Sequence, residues 1–414
     1  MALDGRRALF ISYNGMLEPL GQTQVIPYLS ELAKVGVVVS LLSFEKPKAF
    51  TPEREDERRQ LQARLSAAGI EWHWLPYHQR PSLPATAYDV IAGIRYAKQL
   101  VKKNDIELVH ARGHIPATIA MSLKKYSGIK MIFDLRGLMA EEYVDAGHWK
   151  KSSLAYRITK ATERRIFATS DAVVTLTESI WPIIKGWNGL SGRSVVHQVI
   201  PCCVDLSAFK FSEEDRRLRR TELGLGDRFT FVYSGSLDGW YLTEEMADFF
   251  ASVVRKRKNA HLLWLTKGSV ERVNSLMAAR QISKECYSVL AVSPANVSSY
   301  LCAADAGLAF IKRCFSKIAS SPTKNGEYLA CGLPLVLNAG IGDSDALVDR
   351  WKVGTLITDL DEHHYARAVE EIQLLTRDPE IKTKTRAVAK QLFDLHDVGG
   401  MRYAALYDRV LAGN

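Results

Sequence analysis

The chain has 414 residues, and its 55 lysines and arginines outnumber its 46 aspartates and glutamates, giving a formal charge of +9. Hydrophobic residues make up 47% of the sequence, which indicates folded domains and excludes a disordered protein. No apolar run approaches the ~20 residues of a membrane-spanning helix, and the N-terminal residues do not resemble a secretion signal. The length indicates two domains, or at most three.

The positive charge is concentrated in the N-terminal half. Residues 1–210 contain 28 basic and 20 acidic residues, a balance of +8, whereas residues 211–414 contain 27 and 26, a balance of +1. Such an excess indicates an anionic partner, which is nucleic acid, an anionic membrane surface or a phosphorylated substrate. The six cysteines form no C-x-x-C pair, which favours buried thiols of a cytosolic protein over a zinc site.

Short β-branched runs alternate with helical segments along the whole chain. The first series of predicted strands covers residues 8–12, 37–44, 70–75, 107–110, 130–134, 172–176 and 195–200. A second series covers residues 229–234, 262–266, 287–292, 306–311, 334–338 and 354–358. This alternation predicts an α/β protein with two Rossmann-like, doubly wound domains that face a central cleft.

The domain boundaries follow from the same pattern. Pro201 and the irregular polar stretch after it predict a hinge. We therefore expect an N-terminal domain over 1–205, a C-terminal domain over 206–385, and a helical tail over 386–414 that crosses back to the N-terminal domain. Doubly wound domains bind ligands beyond the carboxyl ends of their strands, so site residues are expected just after strands.

Three predicted strand ends in the N-terminal half carry candidate site residues. The loop after the first strand leads through Gly21 and Gln22 into a helix, an arrangement that suits an anion but is also typical of an ordinary turn. The fourth and fifth strands end in His-Ala-Arg and Asp-Leu-Arg. Each cluster fits a binding site, a hydrogen-bonded strand end or a local salt bridge. The residues of these two clusters are His110, Arg112, Asp134 and Arg136.

The densest motif lies between Ile311 and Asp343. A loop rich in lysines and hydroxyls leads into a helix, and this combination suits a diphosphate. Glu327, about one turn into that helix, is placed to accept hydrogen bonds from the vicinal hydroxyls of a ribose. The loop contributes Lys317, Ser320, Ser321, Thr323 and Lys324 as candidate ligands.

Residues 150–167 form a basic amphipathic helix. Arg157, Lys160 and Arg164 are expected on one face, and Leu154 and Ile158 share another with Ala161. The segment suits an anionic membrane surface, although a solvated helix packed on the sheet is an equal alternative.

These segments together resemble the GT-B retaining glycosyltransferases of family 4. The segments that carry the resemblance are FISYNGMLEPLGQTQVIPYLSELAKVG, ELVHARGHIPA, MIFDLRGLMAEE, VIPCCVDLSAF, FVYSGSLDGWYLTEEM and SKIASSPTKNGEYLACGLPLV. The resemblance implies a nucleotide-sugar donor bound mainly by the C-terminal domain and an acceptor bound by the N-terminal domain. It places the acceptor beside Arg112, Asp134 and Arg136.

The sequence departs from the family pattern at three places. The family often carries two glutamates eight positions apart; Glu327 matches the second, but the first position is Ala319. The family's diphosphate-binding Arg and Lys fall on Ser236 and Leu242, so Lys317, Lys324 and Lys267 are the candidates for their role. The family's H-x-H pattern is His110-Ala111-Arg112 here.

The resemblance implies a retaining reaction in which His110, Lys317 and Lys324 are catalytic. The donor is expected to contact Gly21, Gln22, Ser236, Lys267, Ser320, Ser321, Thr323 and Glu327. Lysines and a helix N-terminus stabilise the charge that grows on the leaving diphosphate, so neither a metal nor a cofactor is expected. Without a carboxylate nucleophile, front-face retention is favoured over double displacement.

The expected activity is transfer of a sugar from a nucleotide-diphosphate sugar to a lipid-linked or polysaccharide acceptor in cell-surface glycan synthesis. The protein is expected in the cytoplasm, on the inner face of the membrane where segment 150–167 contacts lipid. The alternatives are an epimerase or inverting transferase of the same fold, and a nucleotide-sugar-binding scaffold without chemistry. A nucleic-acid partner is not expected, because the basic residues match no recognised module.

Overall fold

The computed structural model describes residues 3–80 and 82–413. The chain forms two compact units. The first comprises the residues up to Pro201 together with those from Leu395 onward, and the second runs from Cys202 to Asp394. The last residues of the chain are therefore part of the first unit, although the whole second unit precedes them in sequence.

The first unit is built on a parallel sheet. Its strands are β1 (Arg7–Ser12), β2 (Val38–Glu45), β3 (Ile70–Pro76), β4 (Leu108–Arg112), β5 (Lys130–Asp134), β6 (Ala172–Thr175) and β7 (Val196–Val199). Their order is β3-β2-β1-β4-β5-β6-β7, and neighbouring strands are parallel. The winding direction reverses between β1 and β4, which is where doubly wound sheets bind ligands.

The second unit repeats this plan. Its strands are β8 (Phe229–Ser234), β9 (Ala260–Leu265), β10 (Tyr287–Leu290), β11 (Ala306–Ala309), β12 (Leu335–Asn338) and β13 (Gly354–Ile357). They lie in the order β10-β9-β8-β11-β12-β13, so the winding reverses between β8 and β11. Two doubly wound parallel sheets confirm the predicted fold class.

Helices follow the strands in both units. In the first unit they are α1 (Pro19–Gln24), α2 (Ile26–Lys34), α3 (Glu55–Ala67), α4 (Ser82–Lys103), α5 (His114–Ser127), α6 (Met139–Asp145), α7 (Leu154–Thr169) and α8 (Trp181–Lys185). In the second they are α9 (Glu213–Glu222), α10 (Thr243–Lys256), α11 (Val270–Ala279), α12 (Val297–Leu301), α13 (Thr323–Ala330), α14 (Ser344–Trp351), α15 (Glu362–Leu375) and α16 (Ile381–Phe393). A π-helical turn (Leu395–Gly400) and α17 (Met401–Ala412) return to the first unit. Short 3-10 turns cover Pro47–Phe50, Pro52–Arg54, Lys284–Cys286, Pro294–Asn296 and Phe315–Ala319.

The sheet of the second unit is covered on both faces, which explains its continuous apolar strands. All six residues of β9 are buried. On the other side of the strands from α10 and α15, Tyr328 of α13 packs where Gly307 lacks a side chain; a Cβ on Gly307 would lie 2.2 Å from Tyr328 Cδ2. The Tyr328 hydroxyl also accepts a hydrogen bond of 2.8 Å from the Ser234 amide. These contacts fix α13 against the carboxyl end of β8.

The C-terminal segment is bonded to the first unit through polar contacts. The Tyr403 hydroxyl donates to Asp134 Oδ2 at 2.9 Å, and Arg402 Nη1 donates to the Val199 carbonyl at 2.8 Å. His396 Nδ1 lies 2.5 Å from Glu31 Oε2 on α2. Each contact joins residues far apart in sequence, so α17 fastens the ends of β5 and β7.

Candidate functional site

Two loops at the carboxyl edge of the second sheet pair with each other. One follows β8 and the other follows β11, at the point where the winding reverses. The Leu242 amide donates to the Phe310 carbonyl at 3.0 Å, and the Lys312 amide donates to the Trp240 carbonyl at 2.8 Å. This short antiparallel ladder, with Tyr241 opposite Ile311, fixes the rings of Trp240 and Tyr241 beside the lysine-rich loop.

Asn338 holds the base of this ladder. Its side chain is buried at the end of β12. Its Oδ1 accepts a hydrogen bond of 2.7 Å from the Ile311 amide, and its Nδ2 donates to the Ile311 carbonyl at 2.9 Å. Both backbone groups of a residue that has left the sheet are thereby satisfied, as burial requires.

Lys324, in the first turn of α13, brings a nearly buried cation to this edge. Its side chain is 6% exposed, and its Nζ lies 3.7 Å from the centroid of the Tyr241 ring. A Cβ on Gly235 would lie 3.0 Å from that Nζ, so the glycine leaves the room that the ammonium occupies. Within residues 3–80 and 82–413, no carboxylate forms an ion pair with Lys324. The aromatic ring stabilises the cation without neutralising it.

Lys317 contacts the neighbouring ring. It is 6% exposed, and its Nζ lies 3.7 Å from the centroid of Trp240. Its carbonyl accepts a hydrogen bond of 2.9 Å from the Gly342 amide, which fixes the 3-10 turn that carries it. The pairing of the two loops therefore places two ammonium groups on adjacent aromatic rings.

Glu327 follows Lys324 on α13. Its side chain is partly exposed, and burial of its carboxyl group raises its pKa above the ordinary value, an effect that the charge of Lys324 opposes. A carboxylate in this setting gains from donors that a ligand brings, because they replace the water it has lost.

The other predicted donor residues of the second unit are placed differently. The Ser321 hydroxyl accepts a hydrogen bond of 3.2 Å from the Cys202 amide, whereas Ser320 and Thr323 are partly exposed. The Ser236 carbonyl accepts a hydrogen bond from the Tyr233 hydroxyl. Lys267 is exposed in the loop after β9. The structure thus groups Lys317 and Lys324 with Ser236 near the β8 and β11 loops, and leaves Lys267 in solvent.

In the first unit, Gly21 and Gln22 have structural contacts. A Cβ on Gly21 would lie 2.4 Å from the Gly15 carbonyl oxygen, so the glycine permits the loop to close on itself. Gln22 Nε2 donates to the Met16 carbonyl at 2.5 Å, and its Oε1 accepts from Arg64 Nη2 at 2.6 Å. Both ends of the Gln22 amide are therefore engaged within the unit.

His110 lies in the interior of the first unit. Its side chain is 0% exposed, its Nδ1 is 2.9 Å from the Tyr407 hydroxyl, and its Nε2 is 3.5 Å from Asp134 Oδ2. Burial lowers the pKa of His110, so the imidazole is neutral at physiological pH. In this structure the ring connects β4 to β5 and α17, and it does not reach the surface.

Asp134 and the two arginines form the polar end of β4 and β5. Burial alone would raise the pKa of Asp134, but Arg136, His110 and Arg112 outweigh it and hold that pKa well below its usual range. Arg136 Nη1 lies 3.5 Å from Asp134 Oδ1, and both Arg112 and Arg136 retain only a small exposed area. The structure therefore brings the four predicted residues of these strands into one cluster.

Sequence reasoning missed the aromatic residues that hold the lysines, as well as a histidine and aspartate in the first unit. Asp89 is almost fully buried and accepts hydrogen bonds of 2.8 Å from the Tyr13 hydroxyl and 2.6 Å from His78 Nδ1. The Gly-Trp-Tyr sequence after β8 is a local signal for the rings, because it places two large aromatic side chains in a loop that follows a strand, where doubly wound domains bind ligands. The contact between His78 and Asp89 does not correspond to a sequence motif of recognisable spacing.

Helix α7 presents an apolar and basic surface, which we call the α7 surface and define as Leu154, Arg157, Ile158, Arg164 and Arg165. Leu154 is 70% exposed, Ile158 is 55% exposed, and the three arginines are exposed.

Lys160, which the sequence grouped with the other basic residues of this helix, is turned away from the surface. Its Nζ pairs with Glu141 at 2.9 Å and with Glu163, and it lies 3.7 Å from the centroid of Trp187. The expected face of Arg157, Lys160 and Arg164 is therefore split by these contacts.

Within the described ranges, no group of three or more His, Cys, Asp or Glu side chains is arranged to hold a metal ion. No helix of that part of the chain is both long and apolar enough to cross a membrane.

Solved structures of the same fold align with almost the whole chain. Sucrose-phosphate synthase from Thermosynechococcus elongatus aligns with a TM-score of 0.72 and 15% identity, over 99% of this chain and 100% of its own. A glycosyltransferase from Rickettsia africae ESF-5 gives 0.74 and 10%, over 99% of each chain. HepE (Alr3699) from Anabaena, in complex with UDP and glucose, gives 0.70 and 16%, over 97% and 99%. At these identities the likeness shows the fold, which is GT-B.

A sequence comparison matches part of the chain to a family model. Residues 21–208 match the family model Glycosyltransferase Family 4. A search among curated proteins found no match. The family match confirms the resemblance to family 4 enzymes. With it, the predicted enzyme class is confirmed: the protein is a glycosyltransferase of the GT-B fold.

Proposed function

We propose that the protein is a retaining glycosyltransferase that works without a metal or cofactor. It moves a sugar from a nucleotide-diphosphate sugar to a lipid-linked or polysaccharide acceptor in cell-surface glycan synthesis. The observation that carries the proposal is the pair of nearly buried lysines, Lys317 and Lys324, fixed on Trp240 and Tyr241 at the ligand-binding edge of the second sheet.

Two fixed ammonium groups suit a diphosphate. When the bond between the sugar C1 and the phosphate oxygen breaks, its electron pair stays on the diphosphate and the negative charge grows there. Lys317 and Lys324 are fixed in position before the reaction, so stabilising that charge needs little reorganisation. The acceptor oxygen forms the new bond to C1 on the same face, and its proton passes to the departing phosphate oxygen. No protein carboxylate is required as a nucleophile in this sequence of events.

The donor class has separate support. Structures of HepE, which has the same fold, hold UDP and UDP-glucose. Glu327 lies one turn after Lys324 on α13, which is a suitable spacing for the ribose and diphosphate of one nucleotide. The proposed donor contacts are therefore Lys317, Lys324 and Glu327, with Ser320 and Thr323 as partly exposed hydroxyls at the start of the helix.

A second candidate is a nucleotide-sugar-binding partner without chemistry. Ala319 stands where the family often has its first glutamate, and it is buried, so no carboxylate occupies that position. The arginine and lysine of the family after β8 are also replaced here, by Ser236 and Leu242. These substitutions leave the diphosphate to Lys317 and Lys324 alone and keep this alternative open.

The test measures release of nucleoside diphosphate from a panel of UDP-, GDP-, ADP- and dTDP-sugars, with and without EDTA. We expect one donor to be turned over equally in both conditions. Lys324→Ala should lower the rate ~100-fold or more, the usual cost of removing one preorganised donor from such a site. The matched control is Lys390→Ala, an exposed lysine on α16. If Lys324→Ala turns the donor over within a few-fold of the parent rate, the proposed role of Lys324 in binding the diphosphate is contradicted. If the parent binds a nucleotide sugar tightly without turning it over, the non-catalytic binding partner is favoured.

We further propose that the acceptor is bound by the first unit and that the protein works in the cytoplasm, peripherally on the inner face of the membrane. Arg112, Asp134 and Arg136 are the acceptor-side residues in this proposal. The excess basic charge of the first unit and the exposed α7 surface support an anionic lipid contact.

A further inference from the structure

A cavity of about 520 Å³ lies at the amino edge of the sheet in the second unit. Phe229, the first residue of β8, and Asp305, which precedes β11, form part of its wall. Gln373 and Thr376, at the end of α15, add polar groups. The paired loops that carry Lys317 and Lys324 follow the opposite, carboxyl ends of the same strands. The cavity is therefore separate from the proposed donor site.

The lining of this cavity is strongly cationic. It has two acidic residues, Asp227 and Asp305, which leaves an excess of three positive charges over its five arginines. The arginines are Arg216, Arg220, Arg228, Arg257 and Arg377. Like charges gathered at one place repel one another, so the lining is less stable than a neutral one until an anion enters.

Two of the arginines have structural roles. Arg216 Nη2 pairs with Asp305 Oδ1 at 2.7 Å, and Arg220 Nη1 lies 3.7 Å from Asp305 Oδ2. Arg216 also donates to the carbonyls of Cys302 and Ala304. Asp305 accepts a further hydrogen bond from the Thr230 amide at 2.7 Å. The one paired carboxylate of the lining is thus fully committed to holding α9 and β8.

The other three arginines have no carboxylate partner among the residues that the structure describes. Arg228 donates to the Glu285 carbonyl, and Arg257 lies 4.7 Å from the centroid of Phe229 while its Nε donates to Asn259 Oδ1 at 2.9 Å. The side chain of Arg377 is exposed at the rim. The guanidinium groups of Arg257 and Arg377 thus keep most of their donors available.

We propose that this cavity binds the phosphate group of a small phosphorylated compound. A guanidinium presents paired N–H donors that match phosphate oxygens, and the charge excess suits a dianion. The volume is that of a small-molecule site, and Gln373 and Thr376 are placed for the polar part of such a compound. This inference does not depend on the glycosyltransferase mechanism.

The test titrates the full-length protein with inorganic phosphate and with glucose 6-phosphate, followed by calorimetry and thermal unfolding. We expect both probes to bind and to raise the melting temperature. Arg257→Gln combined with Arg377→Gln should weaken both probes at least tenfold. The matched control is Arg350→Gln with Arg367→Gln, two exposed arginines of the same unit.

Two further readouts distinguish this site from its alternatives. Lys324→Ala should leave phosphate binding at the cavity unchanged, because that lysine lies at the opposite sheet edge. Without ligand, the Arg257/Arg377 variant should be at least as stable as the parent, since it has lost repulsive charge, whereas a purely structural role would make it less stable. Phosphate binding that is unchanged by the Arg257/Arg377 substitutions, abolished by Lys324→Ala, or absent from the parent overturns the proposal.

Discussion

At the scale of single residues, the second unit depends on charged groups held where burial makes them costly. The ammonium groups of Lys317 and Lys324 each lie against an aromatic ring, which stabilises a cation. Glu327 is the complementary case, since burial raises its pKa. A ligand that brings an anion to the lysines and hydrogen-bond donors to Glu327 would stabilise the folded protein, which couples binding to stability.

Replacement of Glu327 by glutamine should stabilise the folded protein and weaken its binding of the donor. The folded protein holds the Glu327 proton to a higher pH than the unfolded chain does, so this group's stabilising effect is present at low pH. It is lost as the pH rises from about 4.5 through the raised pKa. Glu327→Gln removes this loss, and we expect its melting temperature to exceed that of the parent at pH 7 but not at pH 4.

The same variant should bind UDP ~10 to 100-fold more weakly in calorimetry, the cost of a hydrogen bond to a charged group. Glu214→Gln, an exposed glutamate on α9, is the control for the loss of one negative charge. Equal melting temperatures of Glu327→Gln and the parent across the pH range, together with equal UDP affinity, would show that this carboxylate has neither role.

At the scale of elements, the ladder between the β8 and β11 loops is the feature that assembles the site. It joins Trp240 to Lys312 and Leu242 to Phe310 across about 70 residues of sequence. Ile311 lies just beyond the end of β11. The side chain of Asn338 provides the two backbone hydrogen bonds that a neighbouring strand would otherwise make with Ile311. The loop with Lys317 therefore depends on one buried amide group.

Asn338→Ala should lower the free energy of unfolding of the second unit by ~2–4 kcal/mol, because it leaves the buried amide and carbonyl of Ile311 without partners. Denaturant unfolding of the full chain, followed by tryptophan fluorescence, to which Trp240, Trp264 and Trp351 of this unit contribute, measures the effect. Asn338→Asp keeps an acceptor for the Ile311 amide but cannot donate to its carbonyl, so we expect an intermediate loss. If the free energy of unfolding changes by less than ~0.5 kcal/mol in both variants, Asn338 does not have this structural role.

The sequence predicted the elements better than the contacts between them. Alternating apolar strands and helices identify both doubly wound sheets, because burial on two faces leaves a local signature. The aromatic rings that lie against Lys317 and Lys324 are positioned by the backbone pairing between Trp240 and Lys312. No local sequence pattern encodes that pairing. The burial of His110 depends on Tyr403 and Tyr407, nearly 300 residues later, and that distance hides it from motif reasoning.

At the scale of the whole molecule, the charge divides with the units. The first unit has 29 basic and 21 acidic residues, a balance of +8, and the second has 26 and 25, a balance of +1. A distant anion therefore meets the field of the first unit. The cationic clusters of the second unit act only at short range, because the acidic residues of that unit nearly balance its basic residues. The α7 surface is where the field and exposed apolar side chains coincide.

The protein should accordingly float with vesicles that contain phosphatidylglycerol and remain in solution with pure phosphatidylcholine. Each basic residue near an anionic surface contributes ~1 kcal/mol, so replacing Arg157, Arg164 and Arg165 with glutamine should reduce partitioning ~100-fold. Salt near ~1 M, where the screening length is ~3 Å, should release the parent protein. The control replaces Lys102, Lys103 and Lys125, which are exposed on α4 and α5 of the same unit. If both triple variants float equally, net charge rather than the α7 surface binds the lipid; if the parent fails to float at low salt, the membrane contact itself is refuted.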